Sequence, residues 1–435
     1  MKSEKPIYTL KVVLRETGIK PDVLRAWERR YGLPMPQRSA GGHRLYSQRD
    51  IAIIKWLIAR QHEGLSISSA VELFREHEAS SRNTLEDFET IEQPAQLTVF
   101  TSESTLDRFR EKWLEACISF NEPAAEQILN QAFSLYPLEV VLTEVVQHGM
   151  RDLGERWYDG DTTVQQEHFT SALALRRIES LLTSAPSPLR PQTVMMACPS
   201  EEWHTFSLVL LNLLVRRRGY KVFFLGANVP IDRLNEAVNS IQPDLVILAA
   251  QHLTSAANLQ KTARILSQNL VQVAYGGRVF NAIPLVRERI PGHFLGRTIE
   301  DSLQVIEQLL QAPKPIPACI ESSPTYLELA HEFRIKRGLI ENHLIEDFQS
   351  RGVPIDYLAV ANLHLGNEIA SVLELGEVDF LSTDMIWLKG LLIRHNVPEE
   401  QLNPYLMAYG ESIQRTINGH STILTKWINS LAEEK

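Results

Sequence analysis

Glu202-Trp203-His204, within "CPSEEWHTF", sets a carboxylate two residues ahead of an imidazole. That pairing suits a transition-metal ligand, because the acid can fix the ring tautomer and raise the basicity of the nitrogen facing the metal. A lone loop histidine is more commonly structural or simply exposed, so its neighbours decide. Gly276-Gly277, with no side chains, would let a bulky ligand approach the backbone closely. Upstream, "RWYDGDTTVQQEHF" places Trp157 before the pair Glu167-His168. The YDGD stretch breaks the helix between them, so Trp157 ends one helix, Glu167 begins the next, and both can face a common cap. Arg216, Arg217 and Arg218 precede Gly219 at an expected helix carboxyl terminus, where cations complement the dipole and do no chemistry.

These residues need a scaffold, and the pattern supplies one. From 193 to 312 the chain alternates strands ("TVMMA", "KVFFL", "DLVILAA", "VQVAYGG", "GHFLG") with helices near 206–218, 230–241, 256–268 and 300–311. Alternation of this length predicts a doubly wound parallel sheet. In a flavodoxin-like strand order the loops "CPSEEWHTF", "AAQHLTSAA" and "YGGRVF" converge at the carboxyl ends of neighbouring strands, where such sheets bind ligands. Residues 105–184 read as a four-helix bundle. Leu106, Phe109, Trp113, Cys117 and Phe120 share one face of its first helix, and further helices lie near 122–134, 138–156 and 162–183. Pro-containing "TSAPSPLRPQ" and "QAPKPIPACIESSP" separate the blocks. Residues 325–435 are helical again, with Pro354, Pro398 and Pro404 marking joints. Their histidines, His343, His364, His395 and His420, are expected to be ordinary surface or core residues. A helical module for oligomerisation or partner contact is the plain reading of this segment, and a second sensory domain the sharper one.

Charge sets the first block apart. Residues 1–75 hold 14 Lys+Arg against 7 Asp+Glu, so a chain of 435 residues and net charge −9 divides into a +7 head and a −16 body. Only the head is built to meet a polyanion. In residues 7–76, Thr9 can cap a first helix, and Pro21 suits the first turn of a second that projects Arg25, Trp27, Arg29 and Arg30. "SAGGHRLYS" then reads as a hairpin wing, with Ser47 and Asp50 as a capping pair for the next helix. Residues 77–104, rich in Glu, Ser, Thr and Gln, read as a linker. Three cysteines without paired spacing argue against a disulfide framework or a zinc site. No apolar run is long enough to span a bilayer and the amino terminus lacks a signal-peptide core, so the cytoplasm is the expected location.

"LRAWERRYGLP" and "GGHRLYS" strongly resemble the motifs of the MerR family of transcription regulators. The resemblance implies a winged helix-turn-helix that contacts double-stranded operator DNA through Arg25, Trp27, Arg30, Arg38, Arg44 and Tyr46, with Tyr8 a weaker candidate. Glu202-Trp203-His204-Thr205-Phe206-Ser207 is similar to the fingerprint of cobalamin-binding domains, with Ser207 in place of its glycine. Gln251-His252-Leu253-Thr254 stands where that family has a serine-containing loop, and Gly276-Gly277 fits its glycine pair. The order of head, bundle and α/β domain resembles the CarH-type light-sensing regulators. The fold expected is therefore multidomain α and α/β: winged helix-turn-helix, four-helix bundle, flavodoxin-like cobalamin-binding domain and carboxyl-terminal helices.

By that resemblance His204 is the lower axial ligand of cobalt in adenosylcobalamin, supported by Glu202. Trp157, Glu167 and His168 line the upper pocket, and Gln251, Thr254, Gly276 and Gly277 lie along the rest of it. The chain would be a non-enzymatic, homo-oligomeric repressor, dimer or tetramer, that holds operator DNA in the dark and releases it in light. Tyr158 and Phe169 stand where some family members have histidines, and with Ser207 and Gln251 they leave open a repurposed or vestigial pocket. A corrinoid-carrying methyltransferase subunit is the third reading, which the basic head opposes.

Overall fold

The computed structural model describes residues 8–17, 19, 21–38, 44–62, 67–79, 102–381 and 398–433, together with Pro6 and Gly390. It divides into two units, Met1–Thr101 and Ser102–Lys435. Most of the expected linker 77–104, the tip of the expected wing and His395 lie outside the described residues.

In the first unit, strand β1 (Tyr8–Thr9) leads into α1 (Leu10–Thr17), followed by α2 (Pro21–Tyr31). Strands β2 (Gln37–Arg38) and β3 (Arg44–Tyr46) form the arms of the wing, and β3 also pairs with β1, antiparallel throughout. Helices α3 (Gln48–His62) and α4 (Ile67–Ala79) complete the unit. The capping pair forms: Ser47 N–H donates to Asp50 Oδ2 at 2.8 Å, and Asp50 N–H donates to Ser47 Oγ at 3.1 Å. Val13, Leu24, Trp27, Tyr46, Ile54, Leu57 and Phe74 build one apolar core.

The second unit opens with four helices: α5 (Ser102–Ile118), α6 (Glu122–Leu135), α7 and α8 (Val164–Thr183). Helix α7 runs through Leu138–Val140, a π-helical stretch Val141–Gln147 and His148–Asp159. Leu106, Trp113 and Cys117 are buried as their spacing predicts, but Phe120 lies beyond the end of α5 at φ +55° and is exposed. It meets Phe169 of α8 ring to edge at 5.3 Å instead of entering the core.

The sheet follows: β4 (Thr193–Pro199), β5 (Lys221–Val229), β6 (Leu245–Ala249), β7 (Val273–Gly276) and β8 (His293–Phe294). Its order is β5-β4-β6-β7-β8, all parallel: the alternation predicts the parallel doubly wound sheet, and the order is the flavodoxin-like one that the resemblance to cobalamin-binding domains implies. Strand residues divide by parity, as the pleat requires. Val194, Met196 and Cys198 face α9 (Phe206–Arg217), α13 (Ile299–Gln311) and the bundle. Met195 and Ala197 face α10 (Leu234–Ile241), α11 (Leu253–Gln268) and α12 (Arg278–Ala282). That second core continues without a break into α14 (Pro324–Ser350), α15 (Leu358–Leu375), α16 (Glu399–Thr416) and α17 (Ser421–Glu433). The carboxyl-terminal helices thus share a core with the α/β layer. Pro404 lies inside α16, not at a joint.

Candidate functional site

The β4-β6 boundary is where the strand order reverses, the place at which sheets of this kind bind ligands beyond the carboxyl ends of their strands. The loop after β4 folds Glu202 inward and His204 outward: the Glu202 side chain is 0% exposed and that of His204 is 64% exposed. Their pairing is direct, with His204 Nδ1 2.8 Å from Glu202 Oε1, and the His204 backbone N–H donates to the same oxygen at 2.9 Å. The other oxygen, Oε2, accepts the Gln251 N–H at 2.6 Å and the Ser255 hydroxyl at 2.7 Å. One buried carboxylate therefore ties the loop after β4 to the loop after β6 and turns the His204 ring so that Nε2 faces away. Nε2 makes no hydrogen bond to the described residues.

Burial pushes the Glu202 carboxyl upward, but hydrogen bonds from His204, from Ser255 and from the backbone of His204 and Gln251 more than reverse this and hold it at about 2. His204 is raised above the ordinary imidazole value, first by its bond to Glu202, against burial, then by the charges of Glu202 and Glu167. His252 packs ring to edge on His204 at 5.0 Å and is pushed down to about 4, chiefly by burial and then by the charge on His204.

The expected break between Trp157 and Glu167 forms. Gly160, at φ +88°, ends α7, and Thr163 caps α8 with a reciprocal bond to Gln166. Trp157 is half-buried in the last turn of α7, and His168 is exposed. Glu167 accepts a bond from Ser171. Gly277 is required: at φ +128° a Cβ would sit 1.9 Å from the Ala250 carbonyl oxygen, so only glycine lets the loops after β6 and β7 close together. Gly276 has ordinary space around it. Gln251 spans the same two loops, its Oε1 accepting the Arg278 N–H at 2.9 Å.

Ser255, not Thr254, completes the hydrogen-bonded chain from His204. The expected helix start near 256 hides this, because α11 begins at Leu253 and turns Ser255 inward. Thr254 instead lines a cavity beside the carboxyl-terminal helices. His252, which the sequence reading names only as part of an altered loop, and Ser255, which it passes over, thus both adjoin Glu202 and His204. The only local signal for them is their position just past the end of an apolar strand.

In the head, Arg25 and Arg30 of α2 are exposed, whereas Trp27 and Tyr46 are buried core side chains. Both aromatics expected at the DNA lie in the core of the head: Trp27 anchors α2, and Tyr46 donates its phenol to Glu28 Oε1 at 2.6 Å. Glu28 Oε2 accepts from Arg44 Nε at 2.9 Å, locking the wing to α2. Tyr8 is half-buried, and Arg38 is placed by its backbone alone, opposite Arg44.

Residues 8–77 match the MerR HTH family regulatory protein family, and residues 109–182 and 192–297 match two B12 binding domain families. The HTH-type transcriptional repressor CarH of Myxococcus xanthus is 31% identical over 295 residues, covering 66% of this chain and 94% of that protein. The chain belongs to the MerR-type B12-binding regulators. The repressor CarA of the same organism is 30% identical over 244 residues, 55% of this chain and 75% of its own length. A trimethylamine corrinoid protein of Methanosarcina barkeri is 24% identical over 151 residues, 33% of this chain and 69% of that protein. Membership makes the chain a DNA-binding regulator that binds cobalamin, and its long matches to repressors place it among regulators, not enzymes. No described helix is long and apolar enough to cross a membrane.

The donor set fits a cobalt corrinoid. Among the described residues no group of three or more His, Cys, Asp or Glu side chains is arranged to hold a metal ion. One outward imidazole, pinned at Nδ1, suits a metal that already carries its equatorial ligands, because a single axial donor is all the protein must supply.

Proposed function

We propose that the chain is a repressor whose operator occupancy is set by adenosylcobalamin held between bundle and sheet, where His204 Nε2 would be the protein's ligand to cobalt. The observation that carries this is the Glu202 relay: an outward imidazole fixed by a buried carboxylate, at the strand-order switch. When bound, adenosylcobalamin supplies a cobalt-carbon bond that green light breaks. Glu202 and Ser255 would hold the His204 ring nitrogen ready for the cobalt, and Trp157, Glu167 and His168 at the α7-α8 turn would line the pocket from the bundle and exclude water. Gly277 keeps the loops after β6 and β7 closed together, which would leave room for a bulky ligand to approach the backbone. Arg25 and Arg30 on α2, with Arg44 of the wing held by Glu28, meet operator phosphates and base edges.

The coupling is a population shift: the ligand alters DNA affinity only through its different affinity for the assemblies present in dark and light. In this reading the dark assembly is a dimer or tetramer. The test is an electrophoretic mobility assay on the chain's own promoter DNA, with adenosylcobalamin in darkness and after green light. Binding in the dark that is lost on illumination supports the reading. Equal binding under both conditions, or binding independent of cobalamin, contradicts it.

A further inference from the structure

The carboxyl-terminal helices lie outside the three family matches, which end at residue 297. Helix α15 packs on α11 of the α/β layer, and the two, with α14 on a third side, bound a cavity of about 240 Å3. A water's share of the liquid is ~30 Å3, so this space has room for a molecule of several heavy atoms and is far larger than bridging waters require. Its walls are polar in register: Thr254, Asn258 and Lys261 recur at i, i+4 and i+7 on α11, and Asn367, Ser371 and Glu374 repeat that spacing on α15. Other positions of the same helices enter the shared apolar core, among them Leu259 and Leu266 on α11 and Ile369 and Val372 on α15. Two polar stripes turned toward one space inside such a packing cost stability unless an occupant satisfies them.

The charges around the cavity do not balance. Glu374, its side chain 12% exposed, accepts Lys261 Nζ at 2.5 Å and also pairs with Arg334 of α14. Two cations thus share one carboxylate. Arg337 lines the same space but brings no unmet charge: it donates to Glu341 at 2.6 Å, to Asn367 Oδ1 at 2.6 Å and to the carbonyls of Asn362 at 2.8 Å and Leu363 at 3.1 Å. Because Arg337 holds the Asn367 oxygen, the Asn367 NH2 is left as a donor, and Thr254 adds a hydroxyl. Glu201, the other acid of the lining, is exposed, where solvent screens its charge. Asn258 donates Nδ2 to the Ser200 carbonyl at 2.9 Å, which fixes the α11 wall to the histidine loop. The result is a preformed space with positive charge and donors in excess of acceptors.

We propose that this cavity is a second ligand site, for a small oxyanion, phosphate or carboxylate, held by Lys261 and Arg334. Arg334 offers the planar guanidinium that matches such groups, and Lys261 a compact charge beside it. Thr254 and Asn367 supply hydrogen bonds to oxygens that the cations leave unmet. Glu374 holds the two cations in place while the site is empty and competes with the ligand for them. The site adjoins the relay in the chain, since Glu201 and Thr254 directly precede Glu202 and Ser255. It does not depend on the cobalamin reading.

The experiment is a calorimetric titration of the full, cobalamin-free chain with inorganic phosphate and, separately, with malonate, with chloride as the control at equal ionic strength. Saturable one-site binding of at least one of the two anions is expected, and which one binds identifies the oxyanion. Arg334→Gln should weaken that binding about ten-fold, the scale of one lost charge-assisted hydrogen bond. The Arg334 side chain is 59% exposed, so this variant keeps its fold. Glu374→Gln removes the competing carboxylate and should tighten binding several-fold, an outcome that damage to the structure would not produce. No saturable heat beyond the chloride control overturns the proposal. Binding that Arg334→Gln leaves unchanged overturns it too, because the anion then sits elsewhere, as does binding that Glu374→Gln fails to tighten.

Discussion

Replacing Glu202 with Gln removes a charge and almost no volume, which makes it a sharp probe of the relay. The carboxylate accepts four hydrogen bonds, at 2.9 and 2.8 Å from His204, 2.6 Å from Gln251 and 2.7 Å from Ser255. An amide has one accepting oxygen, so its NH2 must face two of these donors. Ser255 can rotate its hydroxyl to accept, whereas neither backbone N–H can. Bonds to a charged acceptor contribute about 1.5–3 kcal/mol each, and an orphaned buried donor costs a similar amount. With one partner recovered, the net loss is roughly 2–4 kcal/mol, a fall of about 5–10 °C in the unfolding midpoint of the α/β layer. The His204 ring also loses the partner that sets its tautomer, so cobalamin affinity should fall about 10–100-fold. Circular dichroism melts and equilibrium dialysis with hydroxocobalamin measure the two effects. Wild-type values for both would refute the claim that this carboxylate organises the site.

Ser255→Ala removes one of the four donors and leaves the carboxylate three. It should cost about 1 kcal/mol in a denaturant titration and weaken cobalamin retention several-fold, and no change in either would remove Ser255 from the relay. Gly277→Ala should destabilise the α/β layer by more than ~3 kcal/mol, since φ is +128° and the new Cβ falls on the Ala250 carbonyl; a variant that melts like wild type would show that the loops do not close as described. Arg25→Ala with Arg30→Ala should weaken operator binding and flatten its salt dependence by about 0.9 in log-log slope for each phosphate no longer neutralised. An unchanged slope would move the DNA interface elsewhere. Trp27→Ala, by contrast, should act through the stability of the head, costing about 3–5 kcal/mol in the head's unfolding transition, because its ring is core. A head that unfolds like wild type while operator binding falls would return Trp27 to the DNA interface.

Much of this site is legible in sequence because backbone periodicity and glycine sterics are local. Alternating strands and helices give the parallel doubly wound sheet, and its flavodoxin-like order, which the family resemblance implies, brings the loops of Glu202, Gln251 and Gly277 together. YDGD marks the turn between Trp157 and Glu167 because Gly160 adopts a left-handed conformation that ends the helix. What escapes is decided by tertiary packing. Ser255 enters the relay because α11 starts one turn earlier than its apolar pattern indicates, and nothing local announces that a serine in a first turn will find a buried acid. Trp27 and Tyr46 stand among basic residues in sequence, yet they are swallowed by a core formed with α3 and α4. Phe120 keeps the helical spacing of its neighbours, but its helix ends two residues before it. Pro404 reads as a break, but α16 carries it within its first two turns. The packing of α15 on α11 joins segments about a hundred residues apart, which no periodicity reports.

The most direct test of the whole account is the absorption spectrum of the full chain reconstituted with adenosylcobalamin in darkness, before and after green light, beside His204→Ala. The account predicts a protein-bound cobalamin spectrum that changes on illumination, with binding abolished or the spectrum altered in the variant. Identical spectra and retention for wild type and His204→Ala would contradict it, since the outward imidazole would then not be the ligand of cobalt.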